Sequence, residues 1–175
     1  KAYNPPREVI EQISLLLSRR NKLQRLIRAE SSTKEDMSCV GKSIIKTFIL
    51  AESRKTVVVL KKQILRVEDQ IELLIKSDAD LSHKVKLMMS VPGVGKVLSW
   101  YLIVKTNEFK NFDDPRKLAC FAGVAPFEHS SGTSIRGKTR ISFYADKMLK
   151  KILHLSALRV IQLEGELRQF YLRKV

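Results

Sequence analysis

Residues 57–74 read VVVLKKQILRVEDQIELL. Within them Val57, Leu60, Ile64, Val67, Ile71 and Leu74 recur at steps of three and four, the a/d seam of a long amphipathic helix. The seam predicts a helix over about 34–77, irregular upstream of Val57, with Gly41 as a point of interruption. Further toward the N-terminus, Ile10, Ile13, Leu16, Leu17, Leu23, Leu26 and Ile27 share one broad face, predicting a helix over 7–30. Pro5 and Pro6 stand just ahead of it, where they do no harm. Arg19, Arg20, Lys22, Arg25 and Arg28 crowd the rest of its surface. Ser31-Ser32-Thr33 breaks the pattern. Thr33 and Asp36 have the spacing of a capping box, with Asp where Glu or Gln is preferred. Two helices joined by a short polar loop predict an antiparallel hairpin over residues 1–80. A lone hairpin does not easily bury so long a seam. Two readings therefore stand side by side: a coiled coil that makes a homo-oligomer, and packing within one chain.

Beyond Leu81 the style changes, and residues 81–175 read as a compact, mainly α-helical domain. A short helix over Leu81–Ser90 leads into Val91-Pro92-Gly93-Val94-Gly95, and a further helix runs from Lys96 to about Thr106. Together 81–106 have a helix-hairpin-helix-like pattern. Asp113-Asp114-Pro115 starts another helix, an acidic cap followed by Pro at the first helical position, which ends at Gly123. Residues 124–141 carry turn formers and alternating cations and read as a loop or small β-hairpin. A helix over 143–163 follows, with Leu149, Ile152, Leu153, Ser156 and Val160 on one side. Glu164-Gly165 breaks it, and a short helix closes the chain within 143–174. Trp100, Phe109 and Phe112 are expected in the core.

Composition narrows the function classes. The chain holds 33 Lys+Arg against 18 Asp+Glu, net +15, and such an excess points to nucleic acid or an acidic surface. It is uneven: residues 1–80 carry 16 basic and 11 acidic residues, residues 81–175 carry 17 and 7. No apolar run approaches the roughly 20 residues of a membrane span. Two cysteines, Cys39 and Cys120, make neither a disulfide framework nor a four-ligand zinc site. The chain therefore reads as intracellular. It begins at Lys1 with no Met and no signal peptide, and reads as a piece of something larger. His83, His129 and His154 show no ligand spacing with either cysteine, so no metal is expected. No Walker loop or dinucleotide fingerprint appears, so no nucleotide cofactor is expected either.

Two motifs could carry chemistry. In Val91–Lys96, Gly93 and Gly95 free the backbone to expose successive N–H groups. The helix that follows offers its positive N-terminal end, and Lys96 adds a cation. A phosphate fits such a turn without any base being read; a plain tight turn between packed helices fits it equally well. In the second motif, residues 125–141, Arg136, Lys138 and Arg140 alternate. In an extended chain they share one face at about 6.6–7 Å, near the reach of successive phosphates. Ser130, Ser131 and Gly132 lie upstream. A serine flanked by cations is a candidate nucleophile toward a phosphodiester, and a Ser-Gly turn without chemistry is the simpler reading of the residues alone.

The words Ser90-Val91-Pro92-Gly93-Val94-Gly95, Phe109-Lys110-Asn111-Phe112, Pro115-Arg116-Lys117-Leu118-Ala119, Phe121-Ala122-Gly123-Val124-Ala125-Pro126, Ser131-Gly132 and Arg136-Gly137-Lys138-Thr139-Arg140-Ile141-Ser142 carry a resemblance. Residues 87–151 resemble, in order and spacing, the C-terminal domain of the insertion-sequence 110/116/902 family of bacterial transposases. The 57–77 segment sits where that family places its helical linker, whereas residues 1–50 match only in helical character. The resemblance implies a bacterial cytoplasmic protein whose partner is DNA, joined in studied members by a structured guide RNA. It also implies a serine nucleophile that leaves a 5′-phosphoserine link, at the position of Ser131, with Ser130 a neighbour that competes for the assignment. Arg136, Lys138 and Arg140 become phosphate contacts by their charge. The family's RuvC-like domain, with its acidic residues for a divalent metal, is not in this sequence. Strand transfer is therefore not expected of this chain alone, and the alternative is a binding or coiled-coil assembly module.

Overall fold

The computed structural model describes residues 5–39, 41, 43–131 and 135–175, with side chains at all of these but Lys34 and 127–137. The mainly α expectation holds. Among the described residues there are seven α-helices and one two-stranded antiparallel sheet. Residues 7–82 form one compact unit, and His83 to Val175 belong to a second.

The first unit is a helical hairpin of α1 (Glu8–Asp36) and α2 (Ile44–Lys76). Glu8 and Glu11 open α1, where carboxylates complement the positive end of the helix. Arg20 Nε meets Glu68 Oε1 at 2.6 Å, which fixes the antiparallel register. By that register Leu17 lies level with Ile71 and Ile13 with Ile75, and all four are buried. Burial of such a side chain stabilises by about 1.5–3 kcal/mol. At the open end, Asp78 accepts the Leu81 N–H at 3.0 Å and Arg7 Nη1 at 2.8 Å. The Leu81 hydrogen bond, joined by Arg7 and opposed by burial, holds the Asp78 carboxyl below the usual aspartate range.

The heptad seam is used inside the chain. Ile71 is buried, and Val57, Leu60, Ile64, Val67 and Leu74 are half-buried on the helix that packs against α1. Packing within one chain is thus the reading the hairpin realises. On the face of α2 opposite the seam, Val58, Val59, Leu65 and Leu73 stay exposed.

Within the helical hairpin two expected boundaries are corrected. α1 runs through Ser31-Ser32-Thr33 to Asp36 instead of ending near 30. The Ser32 hydroxyl donates to the Ala29 carbonyl at 2.8 Å, a bond within the helix that lets a polar run continue it. Thr33 and Asp36 therefore lie inside α1 and form no capping box. The break comes later, at the 3-10 turn Met37–Cys39. α2 then starts at Ile44, where Ser43 caps it by accepting the Lys46 N–H at 3.1 Å.

The remaining helices are α3 (Ala79–Met89), α4 (Lys96–Thr106), α5 (Pro115–Phe121), α6 (Lys147–Val160) and α7 (Glu166–Leu172). α6 is shorter at both ends than the expected 143–163. Strands β1 (Phe127–Ser131) and β2 (Ile135–Arg140) stand between α5 and α6. α4 is the core helix of the second unit: Leu98, Trp100, Tyr101 and Ile103 are buried. Its hydroxyls turn inward onto its own backbone, Ser99 Oγ to Gly95 O at 3.1 Å and Thr106 Oγ1 to Leu102 O at 2.7 Å. α4 ends in three successive left-handed residues, Asn107, Glu108 and Phe109. Thr106 Oγ1 steadies that turn by accepting the Phe109 N–H at 2.9 Å. The Glu108 carboxylate is buried there between Lys84 and Lys110, at 3.0 and 3.2 Å. Phe109 itself is 37% exposed; the reversed backbone lifts it out of the core in which it was expected. Phe112 packs on Phe121 with ring centroids 5.2 Å apart. Asp114 caps α5 as expected, accepting the Arg116 N–H at 2.8 Å, with Pro115 next. α5 ends at Phe121, ahead of the expected Gly123, which follows in a left-handed turn at φ +67.

Candidate nucleic-acid interface

The turn at 90–95 joins α3 to α4, as its glycines require. The Val91 and Val94 N–H groups close it onto Met88 O and Val91 O at 3.1 and 3.0 Å. Its two glycines do different work. Gly93 is left-handed, at φ +84. Its carbonyl accepts the Ser156 hydroxyl of α6, and a Cβ added here would run into Val160 Cγ2. The turn is thus seated on α6 through Gly93. Gly95 has open space around its Cα and is the N-cap of α4 with no side-chain cap. Lys96 beside it is exposed. Of the three residues expected to contact phosphate here, Gly95 and Lys96 stand at a helix start without a side-chain cap, and Gly93 is packed against α6 through its carbonyl and Cα.

α6 is anchored at its own start. Asp146 accepts the Met148 and Leu149 N–H groups at 3.0 and 2.8 Å and pairs with Lys105 of α4 at 2.8 Å. The Asp146 N–H reaches the Phe121 carbonyl at 2.8 Å. One residue therefore ties α4, the end of α5 and α6 together. Burial pushes the Asp146 carboxyl up, but the Lys105 hydrogen bond, the Leu149 and Met148 N–H groups and the Lys105 charge outweigh it and hold the carboxyl below its usual value.

Strands β1 and β2 resolve the loop-or-hairpin alternative in favour of paired strands. β1 and β2 pair Phe127 with Arg140, His129 with Gly137, Ser130 with Arg136 and Ser131 with Ile135, with a bulge between Phe127 and His129. Ser130 and Ser131 thus end a strand, whereas a Ser-Gly turn was the simpler expectation. Gly132 lies outside the described residues, as do the side chains of Ser130, Ser131 and Arg136. Lys138 and Arg140 are exposed on β2. At the foot of the hairpin a cleft of about 540 Å³ opens between Pro126, Ile141 and α6, with Lys150 and His154 among its lining residues. Lys147 and Lys151 are exposed on the same helix. The sequence reading missed this α6 cluster. Its signal is the spacing of Lys147, Lys150, Lys151 and His154, which three- and four-residue steps gather along a helix. Among the described residues no three His, Cys, Asp or Glu side chains gather into a metal-binding set, and no helix is long and apolar enough to cross a membrane.

Residues 85–172 match the family described as Transposase IS116/IS110/IS902. A pilin gene-inverting protein of Moraxella bovis is 30% identical over 149 residues, covering 85% of this chain and 44% of that protein. The insertion element IS110 43.6 kDa protein of Streptomyces coelicolor is 31% identical over 109 residues, covering 62% of this chain and 25% of its own length. The insertion element IS116 44.8 kDa protein of Streptomyces clavuligerus is 27% identical over 128 residues, covering 70% and 32%. The chain spans less than half the length of these relatives.

Proposed function

Because the chain belongs to the Transposase IS116/IS110/IS902 family, we propose that it is the part of a DNA transposase that holds DNA and supplies a serine nucleophile. The observation that carries this reading is the family match across residues 85–172, which contains Ser131 at the end of β1 and the exposed cations Lys138 and Arg140 on β2. In the proposed step the Ser131 Oγ attacks a phosphodiester phosphorus. The new P–Oγ bond forms as the bond to the 3′ oxygen breaks, the serine proton is lost, and the departing oxygen is protonated. A 5′-phosphoserine remains. Attack by another 3′ hydroxyl then reverses the step onto a new strand and frees the serine. Lys138 and Arg140, with Arg136, stabilise the charge that builds on the non-bridging oxygens. Lys150 and the Gly95–Lys96 helix start add phosphate contacts that position the backbone.

The test is a denaturation-resistant protein–DNA adduct formed by the intact transposase with its nucleic-acid partners, the modified residue mapped by mass spectrometry. An adduct on Ser131 that Ser131→Ala abolishes and Ser130→Ala retains is the expected result. An adduct that survives Ser131→Ala removes that residue from the chemistry. A second reading, self-association through α2, rests on the exposed row Val58, Val59, Leu65 and Leu73. On that reading, Val59→Lys with Leu65→Lys lowers the mass measured by sedimentation.

A further inference from the structure

The helical hairpin carries a charge pattern for which the serine chemistry has no use. Residues 12–29 of α1 and 53–67 of α2 hold five cations each and no carboxylate. The register set by Arg20 and Glu68 brings 21–29 of α1 level with 59–67 of α2. That shared section contains Lys22, Arg25, Arg28, Lys61, Lys62 and Arg66, all exposed. Ion pairs in the hairpin occupy Arg7, Arg20, Lys55 and Lys76; among the described residues none involves these six. Like charges gathered on both helices repel one another, and a polyanion relieves that repulsion.

The geometry narrows the polyanion. At 1.5 Å per residue the shared section is about 13 Å long. A DNA duplex presents one charge per roughly 1.7 Å of axis, so several phosphates meet it at once. Residues 12–29 and 53–67 contain no Phe, Tyr or Trp, so there is no platform for stacking the bases of a single strand. Long cationic side chains on a helix pair suit backbone contacts, which position a duplex without reading it. We infer that the middle of the hairpin binds the sugar–phosphate backbone of duplex DNA, independently of sequence. The choice of DNA rests on the transposase reading; the contact itself makes no use of Ser131.

The test uses the whole 175-residue chain and a labelled mixed-sequence duplex of about 30 base pairs, with affinity followed from about 50 to 200 mM salt. The variant Arg25→Gln/Arg28→Gln/Lys61→Gln/Lys62→Gln changes only exposed side chains, and circular dichroism checks that it keeps its helices. The expected result is a salt slope shallower by about 3.6, at roughly 0.9 for each of the four phosphates no longer neutralised, with wild-type slope retained by Lys61→Arg/Lys62→Arg. An unchanged slope overturns the inference, as does an equal change in the arginine variant. So does a change confined to a matched RNA duplex, or one seen only as a fall in self-association without DNA. Ser131→Ala leaves the slope as it is. A missing Ser131 adduct with a shallower slope in the quadruple variant therefore sinks the chemistry alone, and the converse sinks this surface alone.

Discussion

The turn at 90–95, with Lys96 next to it, and the β-hairpin of β1 and β2 are both short and glycine-containing, and both read from sequence as phosphate sites. They are held in opposite ways. The turn is pinned by a distant helix: Ser156 binds the Gly93 carbonyl, and Val160 leaves no room for a Cβ. The β-hairpin is held by its own two-stranded ladder. A glycine between helices can thus be fixed by the packing of a distant helix, while the exposed cations of a self-paired hairpin stay open to solvent.

The sharpest way to break this contrast is at the two glycines. Gly93→Val should destabilise the second unit by about 4 kcal/mol, the sum of a left-handed penalty and overpacking against α6. Gly95→Ala, in open space at an ordinary backbone angle, should cost about 0.5 kcal/mol. Thermal unfolding of both variants measures the difference, and equal shifts would show that the turn is not seated on α6.

Next in size is the anchor of α6. Asp146→Ala removes the cap and the Lys105 pair and should cost about 2 kcal/mol at neutral pH. Because the folded carboxyl lies below its usual value, its contribution is present above the unfolded aspartate pKa of about 3.9 and disappears as the pH falls below it. Wild type and Asp146→Ala should therefore converge in stability in acid, which denaturant titrations at neutral pH and near pH 3 would check.

A smaller effect is expected at Ser156. Ser156→Ala deletes the donor to Gly93 O and should lower stability by about 1 kcal/mol with DNA affinity unchanged. The smallest stability effect belongs to the β-hairpin. Lys138→Gln/Arg140→Gln should stay within about 0.5 kcal/mol of wild type yet make the salt slope of DNA binding shallower by about 2. A loss of stability there, with binding intact, would reverse the roles given to the two regions.

Much of this was legible in the chain. α4 matches its expected span, Lys96–Thr106, because Gly95 and the polar Asn107 bracket a mostly apolar stretch. Asp114-Pro115 marked the start of α5 because capping is local chemistry. The serines at 31–32 misled because a serine hydroxyl breaks a helix or bonds within it depending on context. The partner of the α2 seam was not legible, since heptad spacing marks an apolar stripe without naming what covers it. For Gly93 the missing information was long-range: the residue that decides its role, Ser156, is 63 positions away. For Ser131 the sequence carried the position only through its family, and the ladder adds its place opposite Ile135.

The antiparallel register of α1 and α2 also bears on how such a chain can change over generations. One inserted residue in either arm turns everything beyond it by about 100° and shifts it by 1.5 Å. Ile71 and Ile75 would then swing away from Leu17 and Ile13, exposing four buried side chains at once. Length differences between this hairpin and its counterparts in relatives are accordingly expected as whole heptads matched in both arms, or as insertions confined to the connection at 37–43. Single-residue slips within the arms should be purged.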